Sequence, residues 1–250
     1  MRWRESDGVR WLEAELPAAR AAFSTRLGGV SEGPFESLNL GVLTDDETGA
    51  VAENRRRLAA ALGFRAERIA IGRQVHGAEL AVHAAPQEPS PFEQPGSAGL
   101  VEADGHVSAD PSLAALVFVA DCLPVAMAGP GGVTILHCGW RGLAEGIVAR
   151  GAEAVEATHA AIGPGIGPCC YEVGGEVLGA FAGLGEGIAS ERMLDLPEVT
   201  RRLLRDAGVE GVESADLCTS CEGELFFSHR RDAGRTGRQA GLAWLDGGAA

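Results

Sequence analysis

Three short segments place side chains that bind metals beside residues that form turns. They read QVHG at residues 74–77, ADCLP at residues 120–124 and HCGWRG at residues 137–142. Their His76, Cys122 and His137 offer two imidazoles and one thiolate, a set that suits zinc or copper. A closed structural zinc site normally has four protein ligands, whereas a catalytic site keeps one position for water or substrate. Three ligands therefore predict an enzyme whose metal ligands also serve catalysis.

The residues alone leave the chemistry of this site open. A metal held by these ligands can lower the pKa of a water molecule to about 7, which would allow hydrolysis or deamination at neutral pH. Cys122 could instead be a nucleophile with His76 or His137 as its base, as in a cysteine hydrolase or amidase. A further hypothesis is a non-catalytic protein that only holds zinc. Cys138, next to His137, is an alternative to Cys122 as the thiolate ligand.

Composition narrows the classes of partner. The 250-residue chain has a formal net charge of −14, and all 21 basic residues are arginine. An acidic surface repels phosphodiesters, so neither nucleic acid nor an anionic membrane is expected as a partner, and a monomer is the expected state. The absence of lysine excludes both a P-loop lysine and a Schiff base.

The cysteines and the N-terminal residues predict a cytoplasmic protein. The first eight residues are too charged to begin a signal peptide, and no stretch approaches the roughly 20 apolar residues of a membrane span. In a cytoplasmic chain of this length, six cysteines indicate metal or nucleophilic roles rather than disulfides. Cys218 and Cys221 have zinc-knuckle spacing, but no second pair is evident, so ordinary buried thiols are the preferred interpretation.

Apolar runs at residues 113–119 and 133–136 predict buried strands that end next to Cys122 and His137. Periodicity predicts helices over residues 49–62 and 143–158, another beginning near residue 172 or 175, and an amphipathic helix ending near residue 207. The second of these would offer its N-terminus to an anion. Further strands are expected at residues 21–26, 69–75, 80–82, 160–162, 193–196 and 240–245. Residues 86–99 read as an exposed loop. The pattern indicates one α+β domain over residues 1–250 with mixed sheets.

Eight motifs in order along the chain resemble the YfiH-type laccase-domain family. They are FSTRLGGVS (23–31), SLNLG (37–41), ENR (53–55), QVHG (74–77), ADCLP (120–124), HCGWRG (137–142), GPGIGP (163–168) and FFSHRRD (226–232). That family, formerly described as multicopper polyphenol oxidases, is now assigned as purine nucleoside phosphorylases with adenosine deaminase activity. Cys138 and His229 depart from its usual Ala and Tyr.

The resemblance implies a two-layer β core flanked by helices, similar to cysteine-hydrolase-like domains. It implies His76, Cys122 and His137 as ligands of zinc, with copper as the other candidate metal. Phosphate would cleave adenosine, inosine, guanosine or methylthioadenosine to the free base and ribose 1-phosphate. Within the family motifs, Arg55 is the expected phosphate or nucleoside anchor, and Asn39 is expected to contact substrate.

The proposed chemistry needs cationic groups that hold phosphate near C1′. Arg26 and Arg141 are candidates in addition to Arg55, because guanidinium groups bind phosphate through paired hydrogen bonds. A copper-dependent polyphenol oxidase remains the alternative reading. It is disfavoured because a three-copper cluster needs many histidine ligands and the chain has only six histidines in total.

Overall fold

The core of the protein consists of two six-stranded mixed sheets. The computed structural model describes residues 1–94 and 99–247. Its strands are β1 (Arg2–Ser6), β2 (Val9–Leu16), β3 (Ala19–Ser24), β4 (Ile69–Ala70), β5 (Leu80–His83), β6 (Gly105–Ser108), β7 (Ala114–Val119), β8 (Leu123–Gly129), β9 (Gly132–Cys138), β10 (His159–Ile162), β11 (Ala189–Ser190), β12 (Met193–Leu194), β13 (Gly211–Ser214) and β14 (Gln239–Leu245). Its helices are α1 (Thr48–Ala61), α2 (Trp140–Ala144), α3 (Ile147–Val155), α4 (Gly175–Ala180) and α5 (Leu196–Asp206).

The strand order explains why separate segments of the chain meet. The first sheet has the order β1-β2-β3-β14-β7-β4, and the second has the order β13-β10-β8-β9-β6-β5. Most neighbours are antiparallel, but β4 with β7, β5 with β6, and β10 with β13 are parallel. Strands β11 and β12 form a small separate ribbon. The predicted α+β class with mixed sheets is therefore confirmed.

The two large sheets pack face to face through small side chains. Their shared cluster contains eight buried alanines from strands of both sheets, together with Leu12, Phe23, Val117 and Ile135: Ala14, Ala19, Ala21, Ala115, Ala126, Ala128, Ala161 and Ala243. Helices α3 and α5 cover the outer face of the second sheet, and α1 covers the first. This arrangement is the predicted two-layer β core flanked by helices. Within residues 1–94 and 99–247, no helix is both long and apolar enough to cross a membrane.

Several predicted elements have the expected positions, and others differ for local reasons. Strands β7 and β9 lie where the apolar runs placed them, and α1 matches the predicted helix at residues 49–62. The single helix predicted over residues 143–158 is wrong: the chain forms α2 and then α3, because Gly146 between them has a left-handed φ of 87°. The strand predicted over residues 69–75 is only two residues long as β4.

The predicted exposed loop at residues 86–99 is partly wrong. Phe92 is fully buried in the cluster beneath α1, and Ser90 is also buried. Residues 95–98 of this segment lie outside the described residues. Strand β8 was not predicted, because Pro124 near its beginning lacks an N–H donor and reads as a turn residue. The charged hairpin of β1 and β2 was also missed, since β1 is almost wholly exposed and shows no apolar face.

Arg55, expected to anchor phosphate, lies inside the core. Its side chain is 1% exposed, and its guanidinium donates to the carbonyl oxygens of Leu40 (2.8 Å), Pro91 (3.0 Å) and Phe92 (3.3 Å). It also stacks on the rings of Phe92 and Phe118, with centroid distances of 5.0 and 4.8 Å. The guanidinium therefore binds the protein's own carbonyls and ties the segment at residues 90–92 to α1, which corrects the expectation of a phosphate contact.

This structural role makes Arg55 different from the arginine that follows it. We expect Arg55→Ala to lower the free energy of unfolding by about 3 kcal/mol, because it leaves buried carbonyls without donors and creates a cavity. The matched change Arg56→Ala removes an exposed partner of Glu53 and should leave the free energy of unfolding close to that of the wild type. Urea unfolding of both variants measures the difference. Equal stabilities would contradict the structural role.

Candidate active site

Sheet pairing brings Cys122 and His137 together. Strands β8 and β9 are antiparallel neighbours, with Leu123 opposite Cys138 and Pro124 opposite His137. Cys122 lies in the tight connection between β7 and β8, directly after Asp121, whose φ of 87° turns the chain sharply. The thiol and the imidazole therefore lie at the same end of one hairpin, as the strand-end prediction required.

His76 reaches the same place from a loop between β4 and β5. Its φ of 63° is left-handed, a conformation that costs energy for a residue other than glycine and has to be held by its surroundings. The Asp104 carboxylate supplies that hold. Its Oδ1 accepts the N–H of His76 (3.0 Å), and its Oδ2 accepts those of Val75 and Gly77 (2.9 Å each).

Asp104 also fixes His137. Oδ1 of the buried carboxylate lies 2.7 Å from Nδ1 of His137. The backbone N–H of His137 also donates to the backbone carbonyl of Asp104 at 2.7 Å. Burial opposes ionisation of this carboxyl group, but the hydrogen bonds from His137 and from the loop N–H groups keep its pKa below the usual value. One anionic side chain thus orients both histidines.

The three side chains are close enough to bind one ion. One ligand atom from each of His76, Cys122 and His137 lies within 4.8 Å of the others, and the two imidazoles meet edge to face with ring centroids 4.8 Å apart. Gly139 permits this approach, because a Cβ there would lie 3.0 Å from the Cys122 sulfur and 3.5 Å from the His76 ring.

The donor set fits a metal with an open coordination position. Asp104 is hydrogen-bonded to Nδ1 of His137, so Nε2 of His137 is the ring nitrogen that could bind a metal. The same arrangement is found where a carboxylate orients a zinc-bound histidine. Cys138, the competing thiol, is completely buried in the apolar cluster beneath α3, and burial raises its pKa well above the ordinary value. It is therefore poorly placed to supply a thiolate.

In the absence of metal, Cys122 and His137 form an ion pair. Burial opposes ionisation of the thiol, but the charge and hydrogen bonds of His137 and His76 outweigh it and lower the pKa of Cys122 to about 6. Burial likewise opposes protonation of His137, yet Cys122 and Asp104 raise its pKa to about 9. Both shifts favour the thiolate and the imidazolium over the neutral pair.

The remaining predicted substrate residues do not all reach this site. Asn39 is fully buried: its amide donates to Thr44 Oγ1 (3.0 Å) and Asp46 Oδ2 (2.8 Å), and its oxygen accepts the N–H of Arg238 at 2.8 Å. It positions the backbone at Arg238 and is not exposed to a substrate. Arg26 is half-buried and donates to the carbonyls of Glu36 (2.6 Å) and Gly223 (3.1 Å).

Arg141 is the expected substrate residue with the most freedom. It is exposed on α2, its guanidinium lies 4.6 Å from the ring centre of Trp140, and among the described residues it pairs with no carboxylate. Helix α2 has only five residues, so the long helix whose N-terminus was expected to bind an anion is not present. The Arg141 guanidinium is therefore the group on α2 that could bind an anion.

Sequence reasoning missed three residues near the cluster. Asp104 precedes β6 in an unremarkable segment, and only its two histidine contacts reveal its importance. Tyr171 lies under the guanidinium of Arg230 at 5.3 Å, and burial together with the Cys122 thiolate raises its pKa to about 12. Burial lowers the pKa of Arg238, and the negative charge of Cys122 opposes that shift. The family motifs GPGIGP (163–168) and FFSHRRD (226–232) lie near Tyr171 and Arg238 in the sequence, but they contain none of the three residues.

The sequence matches a known family. The family model described as multi-copper polyphenol oxidoreductase laccase matches residues 20–246. The match covers most of the chain, and the protein belongs to this laccase-domain family.

Its relatives carry a different functional name. A Deinococcus radiodurans protein named purine nucleoside phosphorylase is 42% identical, with 92% of this chain and 91% of the relative aligned. Purine nucleoside phosphorylase YfiH of Escherichia coli is 38% identical over 90% of this chain and 93% of its own. Among solved structures, Bacillus licheniformis YfiH, described as a hypothetical protein, superposes with a TM-score of 0.88 at 33% identity, covering 98% of this chain and 99% of that one.

The thiolate–imidazolium pair can be tested in the metal-free protein. The rate of Cys122 alkylation should rise with pH through a midpoint near 6, because the thiolate is the nucleophile and its fraction grows as pH exceeds the pKa. His137→Gln should move the midpoint up toward the ordinary value of about 8.5. Mass spectrometry of the peptide that contains Cys122 gives the rate. A wild-type midpoint near 8.5 would contradict the pairing.

Proposed function

We propose that the protein is a zinc-dependent purine nucleoside phosphorylase. It would cleave adenosine, inosine, guanosine and methylthioadenosine with phosphate, giving the base and ribose 1-phosphate, and would deaminate adenosine as a second activity. The observation that carries the proposal is the cluster of His76, Cys122 and His137, oriented by Asp104, in a chain whose relatives are named purine nucleoside phosphorylases.

His76, Cys122 and His137 would hold the zinc ion, and the position left open would face the substrate. When bound, zinc supplies Lewis-acid chemistry that polarises a purine or lowers the pKa of a water molecule. Asp104 keeps the Nδ1 proton of His137 in place and therefore fixes which ring nitrogen faces the site. Its bonds to residues 75–77 hold the His76 loop in its strained conformation at the same time.

The phosphate must be held against C1′ while the purine leaves through an oxocarbenium-like state. Arg141 is the candidate for this role, since its guanidinium is exposed and without a carboxylate partner in the described part of the chain. Arg26 is a weaker candidate because two carbonyls already use its N–H groups. Burial lowers the pKa of Arg238, but the negative charges of Cys122 and Asp121 favour its charged form, so Arg238 would complete a cationic lining.

A cysteine hydrolase is the second candidate, and one observation favours it. Cys122, His137 and Asp104 have the order of contacts of a nucleophile, a base and an orienting carboxylate. A multicopper oxidase has no comparable support. The His83 and His106 pair is buried 3.1 Å apart in the second sheet, and the described residues contain no histidine-rich group for a three-copper cluster.

An inosine assay with and without phosphate separates these functions. Zinc-loaded protein should release hypoxanthine and form ribose 1-phosphate only when phosphate is present. His76→Ala should lose at least about 100-fold in kcat/KM through loss of the metal, whereas His159→Ala, an exposed histidine on β10, should match the wild type. Adenosine supplied in the same way should also yield inosine.

Other results of the same assay would contradict the phosphorylase proposal. Hypoxanthine release without phosphate would identify a hydrolase, and loss of that release in Cys122→Ala with zinc retained would identify the thiol as nucleophile. If neither wild-type protein nor any variant releases base, the phosphorylase proposal is refuted.

Arg141 allows a separate test of phosphate binding. Arg141→Met keeps the apolar length of the side chain but removes its charge, and we expect KM for phosphate to rise about tenfold, corresponding to about 1.4 kcal/mol. KM for inosine should change much less. Arg150→Met, which removes an exposed partner of Glu79, is the control. An unchanged KM for phosphate would exclude Arg141 from the phosphate site.

A further inference from the structure

Four cysteines gather at a second place in the fold. Cys169 and Cys170 end the Gly and Pro rich loop after β10, and Cys218 and Cys221 lie in the turn after β13. Their sulfur atoms all lie within 4.8 Å of one another. The Cys169–Cys221 sulfur distance is 3.4 Å and the Cys170–Cys221 distance is 3.5 Å. The second pair that the CTSC spacing lacked in sequence is therefore supplied by a distant segment.

These distances suit one tetrahedral ion. A zinc ion bonded to four thiolates at about 2.3 Å separates its sulfurs by about 3.8 Å. Cysteines that hold an iron–sulfur cluster must surround several atoms, so their sulfurs lie farther apart than these. All four cysteines are free thiols, which leaves every sulfur available as a ligand.

The backbone around Cys218 is arranged for a thiolate. The N–H of Gly167 donates to the Cys218 sulfur at 3.3 Å, and the N–H groups of Cys221 and Glu222 close the turn on the Cys218 carbonyl at 3.1 and 3.0 Å. Although burial opposes ionisation, donors that include Gly167 hold the pKa of Cys218 below its usual value. The spacing of Cys218 and Cys221 in this turn is typical of a zinc knuckle.

We propose that Cys169, Cys170, Cys218 and Cys221 bind one zinc ion as a closed structural site, separate from the site at His76, Cys122 and His137. Four soft thiolates satisfy zinc completely and leave no position for substrate. Binding displaces up to four thiol protons to solvent and gives the centre a net charge of −2. The Arg230 guanidinium, which donates to the Glu172 carbonyl at 2.9 Å and lies over Tyr171, brings positive charge near this centre.

A zinc ion at the four cysteines would also affect the site at Cys122. The four-cysteine cluster joins the two loops that hold Asp121. The N–H of Ile166 donates to the Asp121 carbonyl at 2.7 Å, and the Thr219 hydroxyl donates to the Asp121 carboxylate at 2.7 Å. Asp121 has a left-handed φ and immediately precedes Cys122. A zinc ion that locks these loops would therefore stabilise the turn that presents the Cys122 thiol.

Zinc stoichiometry tests the proposal on the full chain. Reduced, metal-stripped protein should bind two equivalents of zinc. The double variant Cys218→Ser with Cys221→Ser should bind one equivalent fewer, and its Tm in zinc should fall by at least about 5 °C. Ser220→Ala, in the same turn but without a ligand atom, should match the wild type. His76→Ala with His137→Ala should remove the other equivalent, so the failure of either site is seen separately.

Two measurements on the wild-type protein test the proposal even if the double variant does not fold. Cobalt substitution should give intense thiolate charge-transfer absorption, and a chelator that removes the second zinc should expose four thiols to alkylation together. A double variant that binds as much zinc as the wild type would overturn the proposal. So would a disulfide among these cysteines in freshly purified, zinc-loaded protein, detected by mass spectrometry without reduction.

Discussion

The carboxylate of Asp104 is the group on which the geometry of the candidate active site depends. It binds the ring of His137 on β9 and three consecutive N–H groups of the loop that carries His76. A buried anion is costly unless hydrogen bonds replace its hydration, and here four donors do so. The same bonds that satisfy the carboxylate also hold His76 at a positive φ. The requirement to satisfy one charge thus positions two imidazoles.

Cys122 is held by a different set of interactions, centred on Asp121. This residue turns the chain between β7 and β8, and its carboxylate accepts bonds from Thr219 and from the N–H of Arg230. The β7 strand belongs to the first sheet and β8 to the second, so the Asp121 turn is a crossing point between the layers. Alanine-rich packing between those layers leaves little room for them to shift, since close-packed interiors resist displacement. The thiol consequently faces His137 on a rigid support.

Much of this arrangement could be predicted. The apolar runs located β7 and β9, and the polar residues at their ends identified Cys122 and His137. The turn residues around His76 marked it as well. The substrate residues were less predictable, because an arginine in a family motif looks the same whether it binds phosphate or carbonyls. Arg55 belongs to the second kind, and only its burial under Phe92 and Phe118 shows this.

The amino-acid sequence by itself determined the mixed α+β class, the strands that end at the ligands, and the three residue types that make a metal site chemically reasonable. These follow from local patterns, since hydrophobic period and turn residues act over a few positions. The tertiary structure alone decided that Asp104 orients both histidines and that Arg55 is structural. It also decided that Cys169 and Cys170 lie beside Cys218 and Cys221. Each of these contacts joins residues far apart in the chain, and only the packing of the two sheets and their loops brings them within bonding distance.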